Sequence, residues 1–190
     1  MKTSFIEKEI KYIGSQLAPH WIYKNFKIQG DAIVAFIGEC EVKLTEMVDI
    51  EDVINNEPIY SKLMLNFISE QFGIGLTEGV LRQRLLITII KEELEKIFQE
   101  QNKKIYIKRN GDDLIIDGKK LSVSIATKSI TSVLIHTGLN ILSEGAPVSA
   151  SGLESELGIT DIKGFALEIM RRYAEEIDDI ILAGTKVRGV

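Results

Sequence analysis

The chain has 190 residues, of which 45% are hydrophobic, and this length can bury a core without disulfides or metal ions. Its formal net charge of −5 argues against a surface that coats nucleic acid, because such surfaces are basic. Its one cysteine, Cys40, excludes an internal disulfide framework, and without an apolar run of ~20 residues or a signal peptide we expect a cytoplasmic protein outside the membrane.

The first 45 residues mix irregular segments with predicted strands. Residues 4–13 suit either a short helix or an edge strand. The aromatic segment around Trp21 is expected to anchor the N-terminal part on the sheet, with an aromatic lid over a ligand as the alternative. Residues 32–37 are apolar and β-branched and predict a buried strand, whereas the alternation over residues 41–44 predicts a half-exposed one.

Three acids follow within four residues, at Asp49, Glu51 and Asp52. Carboxylates favour the first turn of a helix because of the helix dipole, so one interpretation is a solvated helix start. The other is a Mg²⁺ site built from carboxylate oxygens, which would gain support if the cluster lay near Asp112 and Asp113 in space.

Two long helices are predicted next. Leu63 and Phe67 are spaced as on one helical face, which predicts an amphipathic helix over residues 59–72. A second helix is predicted over residues 77–101, with Thr77 as N-cap and a buried stripe formed by Leu81, Leu85, Ile89 and Leu94.

Two arginines, Arg82 and Arg84, fall in the first turns of this second helix. Cations are unfavourable there because the N-terminal end of a helix dipole is positive. The expected explanation is a structural ion pair with a neighbouring acid, and the alternative is that one of these arginines contacts a bound anion.

Strands in hairpin order are predicted over and just before the stretch from Lys108 to Asn140, at residues 105–107, 114–116, 121–127 and 132–137. Polar and charged residues gather at the strand ends: Arg109, Asp112, Asp113, Lys120, and the turn from His136 to Asn140. Arginine and lysine there can neutralise a carboxylate or a phosphate. Alternatively, Lys119 and Lys120 only make a hairpin soluble.

The C-terminal part is predicted to be helical. Ser151 starts a capping-box pattern for a short helix over residues 152–157, and a longer helix covers residues 161–177. Residues 180–190 form a last strand or helical turn whose Lys186 and Arg188 can reach a ligand. The whole chain, 1–190, predicts one α+β domain with a mixed, mainly antiparallel sheet and helices mostly on one side.

Several chemistries leave no pattern in this sequence. His20 and His136 are far apart and Cys40 is alone, so no zinc site is predicted. There is no Walker loop and no glycine-rich dinucleotide turn. Cys40 is expected to be an inert small hydrophobe, with a nucleophile as the alternative.

The central stretch resembles the biotin– and lipoate–protein ligases. Asp112-Asp113-Leu114 stands where these ligases have N-D-[IL], and the run that starts at Lys120, KLSVS, stands where they have K-I-S-G-S. Lys120 follows Asp113 by seven positions, as in the ligases. The run IHTGLNI from Ile135 resembles the G-x-G-[IL]-N-[VI] of biotin ligases. MVDIEDV, RQRLL, GDDL and KLSVSIAT also resemble an uncharacterised prokaryotic family, domain of unknown function 366.

The resemblance implies a fold shared with class II aminoacyl-tRNA synthetases. It implies that Lys120 contacts the carboxylate and the adenylate phosphate of a ligand and that Arg109 lies nearby. It also suggests ligand contacts within the matching motifs at Asp112, Asp113, Ser122, Ser124, His136 and Asn140. ATP and Mg²⁺ are the cofactors it implies, with an acceptor protein and a homo-oligomer as partners.

Two departures from the ligase pattern stand out. Val123 replaces the glycine of the lysine strand, so a backbone there approaches a ligand less closely. The glycine- and arginine-rich loop that closes over the adenylate in ligases has no counterpart before Ile59. We therefore expect a domain that binds a small carboxylate or its adenylate and transfers it to an amine, with a non-catalytic binding or assembly module as the alternative.

Overall fold

The computed structural model describes residues 1–189, which form two sheets and four α-helices. The strands are β1 (Lys2–Ile6), β2 (Ala32–Val42), β3 (Ile59–Phe72), β4 (Ile107–Asn110), β5 (Asp113–Ile116), β6 (Lys119–Lys120), β7 (Ser122–Lys128) and β8 (Ser132–Asn140). The helices are α1 (Trp21–Phe26), α2 (Ile50–Asn55), α3 (Leu76–Glu100) and α4 (Ile162–Thr185), with a 3₁₀ turn at Leu44–Glu46. Within residues 1–189, no helix is long and apolar enough to cross a membrane.

The large sheet has five strands in the order β1-β2-β3-β8-β7. Only the β1–β2 pair is parallel, and the other three pairs are antiparallel. A small antiparallel sheet, β4-β5-β6, precedes β7 in the chain. The prediction of an α+β fold with a mixed, mainly antiparallel sheet is confirmed, and residues 2–6 form an edge strand.

The two faces of the large sheet bury different clusters. Because side chains alternate along a strand, Ile33 and Ala35 of β2 face the long helices, whereas Val34 and Phe36 face the other way. The first cluster also contains side chains from β3, α3 and α4, among them Leu65, Phe67, Leu86, Ile90, Ile169 and Tyr173. The second contains Tyr12, Ile22, Met64 and Ile68. The long helices thus lie on one side, as predicted.

The second cluster explains the aromatic segment near the N-terminus. Trp21 packs against it, with its ring 5.2 Å from that of Phe26 and 6.0 Å from that of Phe36. The expectation that this segment anchors the N-terminal part on the sheet is confirmed.

The predicted helix over residues 59–72 is wrong, because these residues form the central strand β3. β3 lies between β2 and β8 and is covered on both faces, so it shows no apolar–polar alternation. Its buried polar residues also interrupt the apolar run, namely Asn66, Ser69, Glu70 and Gln71. Leu63 and Phe67 fit a helical spacing, but both belong to a strand.

Smaller corrections concern the helix ends and the C-terminal part. The N-cap of α3 is Gly75 rather than Thr77, and Leu81 is exposed. The predicted helix over residues 152–157 is wrong, because residues 153–157 form turns. Ser151 is buried, with its backbone N–H donating to the Lys120 carbonyl. The predicted helix over residues 161–177 continues to Thr185. Of the predicted tail, Val190 lies outside the described residues.

Candidate functional site

A cavity of about 310 Å³ opens on the face of the large sheet that is opposite α3 and α4. Its floor consists of side chains from β3, β7 and β8 and of Tyr12. One wall is the β2–β3 connection, residues 43–58, and the other comes from the β5–β6 hairpin and residues 146–150. The volume falls at the lower end of the range of small-molecule sites, roughly 300–1,000 Å³.

Seven of the eight predicted site residues line this cavity: Asp112, Asp113, Lys120, Ser122, Ser124, His136 and Asn140. Arg109 does not. It lies on β4, the outer strand of the small sheet, where its exposed guanidinium donates a hydrogen bond to the carbonyl of Gly111 at 2.7 Å. The structure therefore separates Arg109 from the other candidate residues.

Lys120 is fixed by its backbone at the point where the small sheet meets residues 149–151. Its N–H donates to the Ser149 carbonyl at 2.9 Å, and its carbonyl accepts from Ser151 at 3.0 Å. The side-chain amide of Asn140 also donates to the Lys120 carbonyl, at 3.4 Å. The Nζ atom lies 3.0 Å from Oδ1 of Asp113. The position of Lys120 is thus set by the fold, with Asn140 in a supporting role.

Asp112 is held by the start of α3. Arg84 Nη1 donates to its Oδ1 at 2.8 Å and Gln83 Nε2 to its Oδ2 at 2.9 Å. Burial raises the pKa of Asp112, and the Arg84 charge partly offsets this. Arg82 pairs with Glu78. Both arginines therefore have acidic partners within the protein, which confirms the ion-pair interpretation.

The two serines of β7 have protein partners. Ser122 Oγ accepts a hydrogen bond from the backbone N–H of Leu114 at 2.8 Å. Ser124 Oγ accepts from Gln83 at 3.0 Å and lies 2.8 Å from the Thr137 hydroxyl. These contacts tie β7 to β5, α3 and β8, so the serines hold the cavity wall together.

The floor contains a stacked pair of rings, Tyr12 and His136, whose centroids are 3.8 Å apart with planes at 12°. His136 Nε2 lies 3.0 Å from Asn66 Oδ1, and Asn66 donates its own amide hydrogen to the Met64 carbonyl, so Nε2 carries the proton. Burial lowers the pKa of His136 to about 3. The imidazole is therefore neutral at physiological pH.

Tyr12 was not among the predicted site residues. Its side chain is 3% exposed, and its hydroxyl makes no hydrogen bond with any residue in 1–189. Every fully buried side-chain nitrogen or oxygen in this part of the chain has a partner, so the hydroxyl contacts open space, and Tyr12 lines the cavity. No motif marks this residue, because it reaches the site by folding back over β2.

The β2–β3 connection makes the cavity strongly acidic. It contributes Glu46, Asp49, Glu51, Asp52 and Glu57 to the lining. With Asp112 and Asp113, seven carboxylates face a single cationic side chain of the described residues, Lys120. Asp49 also caps α2 by accepting the Glu51 N–H at 2.9 Å, so the helix-start interpretation of the acid cluster is confirmed, and the cluster shares a cavity with Asp112 and Asp113.

Asp52 is a half-buried member of this group, and charges of both signs surround it. Burial raises the pKa of Asp52, and the neighbouring carboxylate of Asp49 raises it further, whereas the charge of Lys120 lowers it. Asp52 and Lys120 both line the cavity. No cluster of three or more potential ligands within residues 1–189 could hold a metal ion.

A family model described as a domain of unknown function, DUF366, matches residues 1–188. The chain belongs to this family. It is 42% identical over 186 residues to an uncharacterized protein, MJ0805, of Methanocaldococcus jannaschii, covering 95% of this chain and 81% of that protein.

Solved structures place DUF366 among known folds. A protein of unknown function from Pyrococcus horikoshi is 40% identical, with a TM-score of 0.89 and coverage of 100% of this chain and 98% of that one. A putative lipoate protein ligase from T. acidophilum with bound lipoic acid has a TM-score of 0.59 at 13% identity, covering 94% and 87%. A mutant biotin protein ligase from Aquifex aeolicus in complex with biotin has a TM-score of 0.59 at 15% identity, covering 94% and 70%. The biotin/lipoate-ligase fold is confirmed.

The charge of the DUF366 cavity opposes a nucleotide triphosphate. A nucleotide triphosphate needs several cationic groups, but Lys120 is the one cation on the described lining and is already paired with Asp113. The connection that forms the wall has five acids and one basic residue, Lys43. The surrounding carboxylates would repel the phosphates.

Three further candidate residues from the sequence, Cys40, Lys186 and Arg188, do not line the cavity. Cys40 is buried, and burial raises the pKa of its thiol to about 12, so the reactive thiolate is absent at neutral pH. Lys186 and Arg188 follow the end of α4, and neither lines the cavity.

Proposed function

We propose that this protein binds a small organic carboxylate in the cavity, with the ligand's carboxylate paired to Lys120. The observation that supports this proposal is the position of Lys120. It is the one cationic side chain on the described lining of a 310 Å³ cavity, and two backbone hydrogen bonds and the Asn140 amide fix its main chain.

The rest of the ligand would lie on the apolar floor. Leu17, Val42, Met64 and Val123 line this part of the cavity beside the Tyr12–His136 pair. Burying an aliphatic body there contributes roughly 25 cal/mol per Å² of apolar surface. Lys120 would then exchange Asp113 for the ligand, because both side chains of that pair are partly exposed.

The acidic wall favours the non-catalytic alternative over adenylate formation. Transfer to an amine through an adenylate requires a triphosphate to approach Lys120, and the five carboxylates of the β2–β3 connection oppose that approach. Binding of a small ligand needs no such approach. We therefore propose a ligand-binding module on a ligase fold, similar in architecture to structures that hold lipoic acid or biotin.

Titration calorimetry with octanoate, lipoate and biotin tests the binding function. We expect at least one of them to bind and Lys120→Met to weaken that binding roughly tenfold or more, because a charge-assisted hydrogen bond contributes about 1.5–3 kcal/mol. Lys119→Met is the matched control, since it removes the adjacent exposed lysine, which does not line the cavity. Equal affinities of the wild type and Lys120→Met would contradict the proposal.

Pyrophosphate exchange with ATP separates binding from catalysis. We expect no exchange above background with any carboxylate that binds. Exchange that requires Lys120 would show an adenylate-forming enzyme and would overturn the non-catalytic part of the proposal.

A further inference from the structure

The charge of the cavity limits which carboxylates can enter it. We infer that the ligand carries an ammonium group at the same end as its carboxylate, so that Lys120 binds the carboxylate and the carboxylates around Asp52 bind the ammonium. This inference rests on the proposed carboxylate-binding function and specifies the class of ligand.

The first support is the excess of carboxylates that lack a counter-ion. Asp112 is paired with Arg84 and Asp113 with Lys120. No ion pair within residues 1–189 involves the other five lining acids, Glu46, Asp49, Glu51, Asp52 and Glu57. A ligand with only a negative charge would displace Asp113 from Lys120 and leave six lining carboxylates unpaired. An ammonium group lowers this repulsion and supplies one counter-charge.

The second support is the arrangement of charged and apolar groups. Asp52 and Lys120 both line the cavity, so the two opposite charges are available to one ligand. The lining also includes apolar side chains, among them Leu17, Val42, Met64 and Val123. A ligand that satisfies all three has its carboxylate and ammonium on neighbouring atoms and an apolar body that extends inward. This is the arrangement of an apolar 2-amino acid.

The third support is the hydroxyl of Tyr12, which is independent of the acids. The Tyr12 side chain is almost completely buried, has no hydrogen-bond partner among the described residues and faces the cavity. The hydroxyl itself contacts the open space of the cavity and is accessible to a ligand. The hydroxyl can accept a hydrogen bond from an N–H or donate one to a carboxylate oxygen, so a polar group of a ligand would give it a hydrogen-bond partner.

A divalent metal ion fits this site less well than an ammonium group. Metal ions need several oxygen ligands at about 2.0–2.6 Å around one point, and no such cluster exists within residues 1–189. Dispersed carboxylates suit an ammonium group, which donates three hydrogen bonds over a wider spacing.

Four six-carbon probes test the inference by titration calorimetry: norleucine, 6-aminohexanoate, hexanoate and hexylamine. We expect norleucine to bind at least tenfold more tightly than hexanoate and hexylamine, which each lack one charge. Norleucine should also bind more tightly than 6-aminohexanoate, because the ammonium group of 6-aminohexanoate lies at the far end of the molecule and would be placed against the apolar part of the cavity. Hexanoate binding as tightly as norleucine, or no norleucine binding at millimolar concentration, overturns the inference.

Two variants test whether the ammonium group of norleucine binds at Asp52. Asp52→Asn should weaken norleucine roughly tenfold and leave hexanoate unchanged or tighter, because only the ammonium contact is lost. Asp179→Asn is the matched control, since it removes an exposed acid of α4 that is not on the cavity lining. An unchanged norleucine-to-hexanoate ratio in Asp52→Asn contradicts the inference.

The outcomes also separate this inference from the proposed function. If hexanoate binding requires Lys120 but norleucine binds no more tightly than hexanoate, the proposed function stands and the ammonium inference fails. If norleucine and hexylamine bind equally and depend on Asp52 but not on Lys120, the carboxylate site fails. The cavity is then a site for cations, and the specific inference of a two-charge ligand fails with it.

Discussion

The Nζ atom of Lys120 lies 3.0 Å from Oδ1 of Asp113, and the two side chains are 41% and 32% exposed. Ion pairs this accessible contribute little to stability, roughly 0–1 kcal/mol. Asp113 therefore acts as an exchangeable partner of Lys120, which keeps the lysine oriented but leaves it available to another anion.

Asp113→Asn should raise the affinity for a carboxylate ligand several-fold. The amide cannot neutralise Lys120, so a ligand no longer competes with a resident carboxylate. Calorimetry with the tightest ligand measures the change. Asp117→Asn is the control, because it removes an exposed carboxylate of the next turn, where asparagine tolerates the left-handed backbone at φ 49. Equal gains in both variants would point to general charge rather than to Lys120.

The stability of the protein should fall on acidification because of His136. Burial holds the pKa of His136 at about 3, below its usual 6.5. Between these values the unfolded chain takes up a proton that the folded chain does not, so stability is complete above pH 6.5 and decreases as the pH falls. Between pH 7 and 4.5 the loss from this group is about 2–3 kcal/mol.

His136→Gln tests this assignment, because glutamine retains an N–H for Asn66 but does not titrate. Urea unfolding at pH 7 and pH 4.5 should show a smaller acid-induced loss in the variant, measured as the difference from wild type so that the carboxylates cancel. A difference of zero would mean that His136 titrates normally in the folded state.

Gly38 controls the position of the N-terminal segment over β2. A Cβ added there would lie 2.1 Å from the carbonyl oxygen of Ile10, and the backbone N–H of Ile10 and of Tyr12 bond to residues 37 and 39. Gly38→Ala should therefore destabilise the protein by about 2–3 kcal/mol and weaken ligand binding by displacing Tyr12.

Thermal unfolding and calorimetry measure both effects. Gly184→Ala in α4 is the control, since nothing lies within 4 Å of the added methyl, and alanine stabilises a helix by up to about 1 kcal/mol relative to glycine. If Gly38→Ala is as stable as the wild type, the N-terminal segment can move away from β2 without loss of stability, and the prediction is contradicted.

Arg84→Met should destabilise the protein most at neutral pH. The charge of Arg84 lowers the pKa of Asp112 against the effect of burial, so its loss raises that pKa further. The folded state then penalises the ionised carboxylate at pH 7, and protonation at lower pH relieves the penalty. Unfolding at pH 7 and 5 should show the deficit shrinking on acidification, and Arg84→Lys should retain most of the wild-type stability.

Local pairings of the site were predictable, whereas distant ones were not. Asp113 and Lys120 flank a hairpin turn, so their spacing alone places them together. Tyr12 enters the same cavity only because the N-terminal segment runs along β2, and that depends on packing between segments distant in sequence. Arg109 belongs to the outer strand of the small sheet, a detail that strand prediction cannot supply.

The wrong prediction of a helix over residues 59–72, which form β3, has a general cause. A central strand covered on both faces loses the alternation that identifies strands, and Asn66 and Gln71 are buried because partners elsewhere in the fold satisfy them. In α3, likewise, buried Arg82 and Gln83 shift the buried face away from the one that apolar residues mark. Polar residues with tertiary partners mislead any argument from hydrophobicity alone.

The cavity wall and the cavity floor come from parts of the chain with different structural duties. The floor belongs to strands whose side chains also form the core, so substitutions there endanger folding. The β2–β3 connection has no buried residue between Lys43 and Pro58, and its acids line the cavity. Evolution or a protein engineer can therefore change the charge preference of the pocket by replacing Glu46, Glu51, Asp52 or Glu57 while the framework stays intact, and one scaffold can be adapted to chemically opposite ligands.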